Sequence, residues 1–230
     1  MPTCFEELVT IQADGGPIIG RMAYPEHGRP ISAALIAGSH PLLGGDMSNN
    51  VTTALRLGLA ESGIAALSFD YRVLDQHGDD GAEWSQLLSE FWKTSHVALE
   101  AEWCRDAGVA LDYLKRDLPG DVVLIGYSFG CRVVAELSAG NAAAGIVCIS
   151  PNPVNHDLNK LRSQSAPLLV ISSDNDFSCP PAKLREWFDS LNGPAEIDVF
   201  ADAEHFFRGR ENEVVQAVIR FMNAGGLIGD

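Results

Sequence analysis

The sequence predicts an α/β fold in which helices cover both faces of a mostly parallel β-sheet. Short runs of β-branched and apolar residues alternate with longer runs of helical periodicity, which is the pattern of parallel strands joined by crossover helices. The length of 230 residues and the hydrophobic content of 46% suit a single sheet and core. We therefore expect residues 1–230 to form one domain.

The strands are predicted from short apolar runs bounded by turn residues. The first two, Phe5–Thr10 and Ile18–Ala23, flank the turn Asp14–Pro17 and predict a hairpin. The third, Ser32–Ala37, is almost entirely apolar, as expected of a strand buried on both faces. Further strands, which bring the total to about eight, are predicted at Ala65–Phe69, Val122–Ile125, Gly145–Ile149, Leu168–Ser172 and Glu196–Phe200.

The helices are predicted from apolar residues at helical spacing, with glycine or proline as stop signals. They lie at Asn49–Ser62, Val97–Leu118, Phe129–Ala139, Pro181–Leu191 and Glu211–Asn223.

The segment Tyr71–His96 fits this alternation poorly. An acidic loop, Asp75–Gly81, precedes a run whose apolar residues have the spacing of an amphipathic helix with an aromatic face. Two interpretations are open: a helix packed on the core, or a small cap-like insertion at 71–96 whose aromatic residues line an acyl pocket. The residues of that face are Trp84, Leu87, Leu88, Phe91 and Trp92.

Composition limits the expected partners and location. The net charge of −15 disfavours binding to nucleic acid and to anionic membranes. The N-terminal residues lack the basic and apolar segments of a secretory signal, and the five cysteines show no paired spacing, so we expect free thiols and a cytoplasmic protein. No metal-ligand spacing, phosphate loop or dinucleotide motif occurs, so we expect no metal and no cofactor.

A Gly-x-Ser-x-Gly motif joins the strand at Val122–Ile125 to the helix that follows it. A serine nucleophile needs a tight, strained turn, and neighbouring chains approach closely two positions away on either side. Gly126 and Gly130 supply the small residues, and Ser128 stands at the start of the helix. This context predicts that Ser128 is a catalytic nucleophile, rather than a serine that caps the helix.

His205 is the best candidate for the base that would activate Ser128. It follows the last predicted strand, and the loops at the carboxyl ends of parallel strands meet at one edge of the sheet. The acid should follow a strand between these two residues, where Asp174 and Asp176 both occur. We favour Asp176, with Asp174 as a residue that stabilises the loop.

The tetrahedral intermediate of acyl transfer needs two N–H donors. One is expected from Phe129, the residue after the nucleophile, and the other from the loop after the third strand. His40 is the first choice in that loop, because Pro41 has no N–H; Leu42 and Leu43 remain possible.

These motifs together resemble those of small bacterial hydrolases similar to dienelactone hydrolase, within the α/β-hydrolase superfamily. The resemblance covers nearly the whole chain and rests on four segments in order: His40–Met47, Gly126–Gly130, Ser173–Asp176 and Ala203–Arg210. It implies an α/β-hydrolase fold, Asp176 as the acid and His205 as the base. Two departures stand out: Val73–Gln76 replaces the Gly-rich turn usual after Arg72, and a serine replaces the cysteine nucleophile of dienelactone hydrolases proper.

The expected function is therefore serine hydrolysis of a small-molecule carboxylic ester. The alternatives are a thioesterase, amidase, lactonase or acyltransferase with the same triad, or a binding protein whose triad is idle. We expect a substrate pocket lined by Leu42, Leu43, Trp84, Phe91, Trp92 and Phe206. The sequence does not predict the oligomeric state.

Overall fold

In the part of the chain that the structure describes, eight strands in one sheet confirm the predicted fold class. The computed structural model describes residues 4–72, 81–118, 120, 122–140 and 143–227. The strands are β1 (Cys4–Ile11), β2 (Ile18–Pro25), β3 (Ser32–Ala37), β4 (Ile64–Phe69), β5 (Val122–Tyr127), β6 (Ala143–Ile149), β7 (Leu168–Asn175) and β8 (Ala195–Glu204).

Six α-helices connect and follow these strands within the described residues. They are α1 (Asn50–Glu61), α2 (Gly81–Thr94), α3 (Glu100–Asp117), α4 (Gly130–Ser138), α5 (Pro181–Phe188) and α6 (Glu211–Ala224). Short 3₁₀ turns form at Pro41–Leu43 and Asn159–Ser163.

The strand order places a topological switch point at the centre of the sheet. The order is β1-β2-β4-β3-β5-β6-β7-β8; β2 runs antiparallel to both of its neighbours, and the other neighbouring pairs are parallel. The chain moves from β3 to one side to form β4, then returns to place β5 on the other side of β3. Ligands of open α/β sheets bind where the order reverses in this way, so the loops after β3 and β5 mark the expected site.

The central strands are apolar on both faces because helices cover both. On β5, Leu124 lies in a core that includes residues of α3, α4 and α5, whereas Val123 and Ile125 lie in a second core with α1 and α6. Alternate side chains of a strand point to opposite faces. The continuous apolar run of β5 is therefore the sequence signature of a strand between two cores.

Several predicted bounds were shifted. β7 and β8 extend beyond the predicted ends because they stay paired as far as Asn175 and Glu204, past an irregularity in their register. Helix α3 begins at Glu100 rather than Val97, because the Glu100 carboxylate accepts the N–H of Val97 and closes the helix start there. His96, which directly precedes the predicted helix at Val97–Leu118, lies between α2 and α3.

Part of the segment at 71–96 lies outside the described residues. Residues 73–80, which include most of the predicted acidic loop and the departure at Val73–Gln76, are among those not described. The rest forms α2, and four of its predicted aromatic-face residues pack partly buried against the core: Trp84, Leu87, Leu88 and Phe91. The description of 71–96 as a cap-like insertion stays a prediction.

Across the part of the chain that the structure describes, no helix is both long and apolar enough to cross a membrane.

Two glycines inside helices allow a matched test of helix packing. A Cβ built on Gly58 in α1 would lie 2.5 Å from Cγ1 of Val215 in α6, whereas one on Gly108 in α3 would meet only Leu137 Cδ2, at 3.9 Å. Alanine is favoured over glycine in a helix by about 1 kcal/mol, so Gly108→Ala should raise the free energy of unfolding. Gly58→Ala should lower it by about 1–3 kcal/mol, because overpacking outweighs that gain.

Urea denaturation of both variants measures the difference. Equal stabilisation by the two substitutions would contradict the close α1–α6 contact.

Candidate active site

The site forms at the switch point, where the ends of β3 and β5 lie side by side. Ala37, the last residue of β3, pairs with Gly126 on β5. The loop Gly38–Ser48 and the turn carrying Ser128 therefore leave the sheet next to each other. Parallel register thus brings together two segments that are far apart in sequence.

Ser128 occupies a strained turn between β5 and α4. Its φ is 56°, in the left-handed region that non-glycine residues rarely adopt, and its N–H donates to the Ile149 carbonyl at 2.8 Å. A Cβ on Gly126 would overlap the backbone of Gly130, and a Cβ on Gly130 would overlap that of Ala37. Both glycines are therefore needed for close backbone approach, and the turn leaves the Ser128 side chain half-buried.

The structure brings Ser128, His205 and Asp176 into one hydrogen-bonded chain. The His205 Nε2 atom lies 3.2 Å from Ser128 Oγ, and His205 Nδ1 lies 2.9 and 3.0 Å from the two carboxylate oxygens of Asp176. The strand register explains why Asp176 and His205 meet. Asn175, the last residue of β7, pairs with Glu204, the last residue of β8, and Asp176 and His205 directly follow them. Both side chains are buried.

The protonation states follow from the hydrogen-bond partners. Burial alone would raise the pKa of Asp176, but the hydrogen bonds from His205 and from the Ser178 N–H outweigh burial and hold this pKa below its ordinary value. An ionised carboxylate can only accept, so Nδ1 of His205 carries a proton and donates it. In neutral imidazole Nε2 is then the acceptor, and it faces the hydroxyl of Ser128.

Two neighbouring contacts fix the loop of His205. The hydroxyl of Tyr127 donates to the His205 carbonyl at 3.2 Å, and the Asn50 amide donates to the Phe206 carbonyl at 2.8 Å. The end of β5 and the start of α1 thus both hold the backbone next to the imidazole of His205. Such support keeps functional side chains in one geometry.

Asp174, the other aspartate considered for the acid, takes a different position. Its side chain is exposed, and its carboxylate accepts the N–H of Asp202 at 3.1 Å. It joins the β7 and β8 ends without contacting His205. The loop-stabilising role expected for Asp174 agrees with this contact.

The loop Gly38–Ser48 is held at both ends. The Tyr71 hydroxyl donates to the Gly38 carbonyl at 3.1 Å, and the Met47 N–H donates to the Asp70 carboxylate at 2.7 Å. The His40 carbonyl accepts the N–H groups of Leu43 and Gly45 at 3.0 and 3.1 Å. The N–H of Leu43 is therefore already used within the loop.

The N–H groups of Phe129 and His40 differ from that of Leu43 in their hydrogen bonding. Among the described residues neither donates to a protein acceptor. Phe129 is the N-cap of α4, where backbone donors lack partners and the helix dipole favours negative charge. Both groups are thus free to donate to a ligand.

The sequence matches the model of a known protein family over most of its length. The model of the dienelactone hydrolase family matches residues 40–222, which include Ser128, Asp176 and His205. The chain belongs to the dienelactone hydrolase family. The resemblance drawn from the four motifs is thereby confirmed.

Solved structures of α/β hydrolases share the fold of this dienelactone hydrolase family member. A serine hydrolase homologue from Coxiella burnetii has a TM-score of 0.79 at 23% identity, with 94% of this chain and 97% of that one covered. A serine hydrolase without a lid from Xanthomonas campestris gives 0.79 at 20% identity, covering 95% and 94%. The esterase domain of a Rhodothermus marinus protein gives 0.71 at 16% identity, covering 95% and 98%. No curated protein sequence matches the chain.

His40 places its imidazole in an aromatic environment beneath the site. Its side chain is 3% exposed, and its ring lies 4.4 Å from that of Phe91 and 4.9 Å from that of Phe129. Burial, with the nearby charges of His96 and Arg132, lowers the pKa of His40 to about 3. The imidazole is therefore neutral near pH 7. Both of its ring nitrogens are buried, so the group that His40 can offer a ligand at the site is its backbone N–H.

A buried polar cluster lies next to this ring. We call it the Glu100 cluster; it contains Glu100, Arg132, His96, His40 and His156. Glu100 is 1% exposed and pairs with the guanidinium of Arg132 on α4. Its carboxylate also accepts from Val97, and the Nδ1 of His96 lies 3.3 Å away.

The polar, turn-rich sequence around His156 predicts a solvated side chain, but the residue is half-buried. Its Nδ1 is buried without a hydrogen-bond partner among the described residues, and its ring packs 5.7 Å from that of Phe129. Burial, with nearby positive charge, lowers the pKa of His156 to about 4. The polar flanking residues gave no sign of this, because the ring contacts His96 and Phe129, which are distant in sequence.

The expected pocket residues take three kinds of position. Leu42 is buried in the core. Trp84 and Phe91 are half-buried where α2 packs against the core. Leu43 and Trp92 are exposed, at 54% and 70%. Phe206 lies beside His205, with ring centroids 5.3 Å apart.

Sequence reasoning missed Phe177, whose ring lies 4.8 Å from that of His205. Its position directly after Asp176 was the available signal. Sequence reasoning also missed the pairing of Glu100 with Arg132. Glu100 lies in the first turn of a helix, where acidic residues are common, so its position alone does not indicate a buried ion pair. In the part of the chain that the structure describes, no group of three or more His, Cys, Asp or Glu side chains could hold a metal ion.

The Glu100–Arg132 pair predicts strong coupling between two substitutions. Arg132→Met leaves a buried carboxylate without its cation and should lower the free energy of unfolding by about 3 kcal/mol. Adding Glu100→Gln removes that charge, so the double variant should be more stable than the sum of the two single effects. Urea denaturation of the three variants measures the coupling.

The exposed pair of Arg105 and Glu102 on the same helix supplies the control. Arg105→Met should change the free energy of unfolding by less than about 1 kcal/mol. Additive effects of Arg132→Met and Glu100→Gln would argue against a buried ion pair.

Proposed function

We propose that this protein is a serine esterase that hydrolyses small-molecule carboxylic esters through an acyl-enzyme on Ser128. The observation that carries the proposal is the hydrogen-bonded chain from Asp176 through His205 to Ser128. A nucleophile, a base and a residue that orients the base are the parts that acyl transfer needs. Membership of a hydrolase family supports the same chemistry.

In the first step Ser128 Oγ attacks the ester carbonyl carbon while its proton passes to Nε2 of His205. The C–O double bond opens and its electron pair moves onto the carbonyl oxygen. The carboxylate of Asp176 holds the Nδ1–H tautomer and stabilises the imidazolium that forms. The 3.2 Å separation between Nε2 and Oγ is within reach for this proton transfer.

The new oxyanion is stabilised by the N–H groups of Phe129 and His40. Phe129 adds the favourable field at the start of α4. Because both ring nitrogens of His40 are buried, the backbone N–H is this residue's donor. Leu42 remains an alternative to His40, whereas the N–H of Leu43 is used by the His40 carbonyl.

The intermediate collapses when the bond to the alcohol oxygen breaks and His205 returns its proton to that oxygen. Water then attacks the acyl-enzyme with His205 again as the base, and the acid leaves as Ser128 regains its proton. We place this chemistry in the cytoplasm, and the five free cysteines support a reducing compartment.

Hydrolysis of a short-chain nitrophenyl ester tests the proposal. Ser128→Ala should reduce kcat/KM by at least about 10³-fold, because the nucleophile is lost. Asp176→Asn should reduce it by about 10³–10⁴-fold, because the wrong imidazole tautomer is favoured. The wild-type product should be the free acid even when an alcohol is added.

Asp174→Asn, a change of the same kind two residues away, is the matched control and should stay within a few-fold of wild type. Full turnover by Ser128→Ala would refute the nucleophile. An equal loss in the two aspartate variants would remove the case for Asp176 as the acid, and an ester formed with the added alcohol would indicate acyl transfer instead.

A further inference from the structure

Two exposed aromatic rings stand beside the imidazole of His205. The ring centroid of Phe177 lies 4.8 Å from that of His205, and the ring centroid of Phe206 lies 5.3 Å from it. The two phenylalanine rings are 5.7 Å apart and tilted by 44°. Together they form an apolar surface, which we call the Phe177–Phe206 platform.

Neither ring is buried in the hydrophobic core. Phe177 is 72% exposed and Phe206 is 36% exposed, whereas the next residue, Phe207, is fully buried and packs on Phe200. The loop after β8 thus buries one of its two aromatic side chains and leaves the other open to solvent. Contiguous exposed apolar surface can mark a ligand-binding site, and here both exposed rings adjoin the imidazole of His205.

Both rings are held in place despite their exposure. The loop of Phe177 is tethered at Ser178, whose N–H donates to Asp176 at 2.8 Å and whose carbonyl accepts from Asn152 at 2.6 Å. The guanidinium of Arg208 lies 4.8 Å from the centre of the Phe206 ring. A surface ordered in advance binds with a smaller loss of conformational entropy.

The position of the platform relative to the reacting atoms identifies its occupant. The proton held on Nε2 of His205 must reach the oxygen of the departing alcohol, so that oxygen lies within hydrogen-bond distance of Nε2. The acyl oxygen instead faces the N–H groups of Phe129 and His40. Rings that flank His205 therefore contact the alcohol portion of an ester rather than its acyl portion.

We propose that Phe177 and Phe206 form a leaving-group subsite that selects esters of aromatic alcohols over esters of small alkyl alcohols. This inference rests on the proposed esterase function and adds the class of alcohol. Two tilted rings offer offset stacking to a third ring, which contributes about 0.5–1.5 kcal/mol beyond the apolar area removed from water. A methyl group cannot stack and buries much less apolar area.

Acetate esters of benzyl alcohol, cyclohexylmethanol and methanol provide the test, because the acyl group stays constant. The wild-type enzyme should give kcat/KM values that fall in that order. Phe177→Ala and Phe206→Ala should each reduce the benzyl-to-methyl ratio of kcat/KM by about five- to tenfold. Phe177→Tyr keeps the ring and should retain the wild-type ratio.

Phe5→Ala is the matched control, since Phe5 is an exposed phenylalanine on β1, at the opposite edge of the sheet from β8. It should leave the ratio unchanged. Methyl phenylacetate, which carries its ring on the acyl side, separates the two portions of the substrate. If the alanine variants lower the preference for methyl phenylacetate over methyl acetate but leave the benzyl-to-methyl ratio intact, the platform binds the acyl portion and the proposal is wrong.

An unchanged ratio in both alanine variants, with esters still turned over, would also overturn the subsite while leaving the esterase function standing. Failure of the wild-type protein to hydrolyse any of these esters, together with no labelling of Ser128 by a fluorophosphonate, would overturn the esterase function itself. The two failures are thus distinguishable.

Discussion

The close backbone approach at the turn after β5 is the constraint on which the rest of the site depends. Gly130 touches the end of β3 and Gly126 touches Gly130, so no side chain fits at either position. The turn holds Ser128 at a φ of 56°, a conformation that costs on the order of 1–3 kcal/mol and that the surrounding sheet enforces. The same contact sets the loop of His40 beside the serine. Nucleophile and candidate oxyanion donors are therefore placed by one packing requirement between β3 and β5.

Two buried carboxylates, Asp176 and Glu100, lie near this turn, and their negative charges have different partners. Asp176 accepts from the Nδ1–H of His205 and from a backbone N–H, so its charge acts on the imidazole. Glu100 pairs with Arg132, which lies on α4 just beyond the serine, and this places its charge between α3 and α4. Burial, with the nearby charges of His96 and Arg132, lowers the pKa of His40 and leaves its imidazole neutral near pH 7. The negative charge that can act on the serine thus comes from Asp176 through His205.

Much of the fold and the central site could be predicted because local patterns determine them. The apolar run of β5 followed by glycine, serine and glycine specifies a buried strand, a tight turn and a helix within nine residues, and the structure brings Ser128 together with His205 and Asp176. The longer ends of β7 and β8 could not be predicted, since they depend on pairing between strands. The partial burial of His156 and the pairing of Glu100 with Arg132 depend on segments distant in sequence, which periodicity does not reveal. Phe177 could have been suspected from its position directly after Asp176, but periodicity does not show which ring a loop residue contacts.

The most direct test of the account is the site of covalent labelling by an active-site-directed fluorophosphonate, mapped by mass spectrometry of peptides. The account predicts one equivalent of label on Ser128 in the folded wild-type protein, and no label when Ser128 is replaced by alanine, because only a hydroxyl paired with the His205 imidazole is nucleophilic enough to react. Labelling at another residue, or undiminished labelling of the alanine variant, would contradict it.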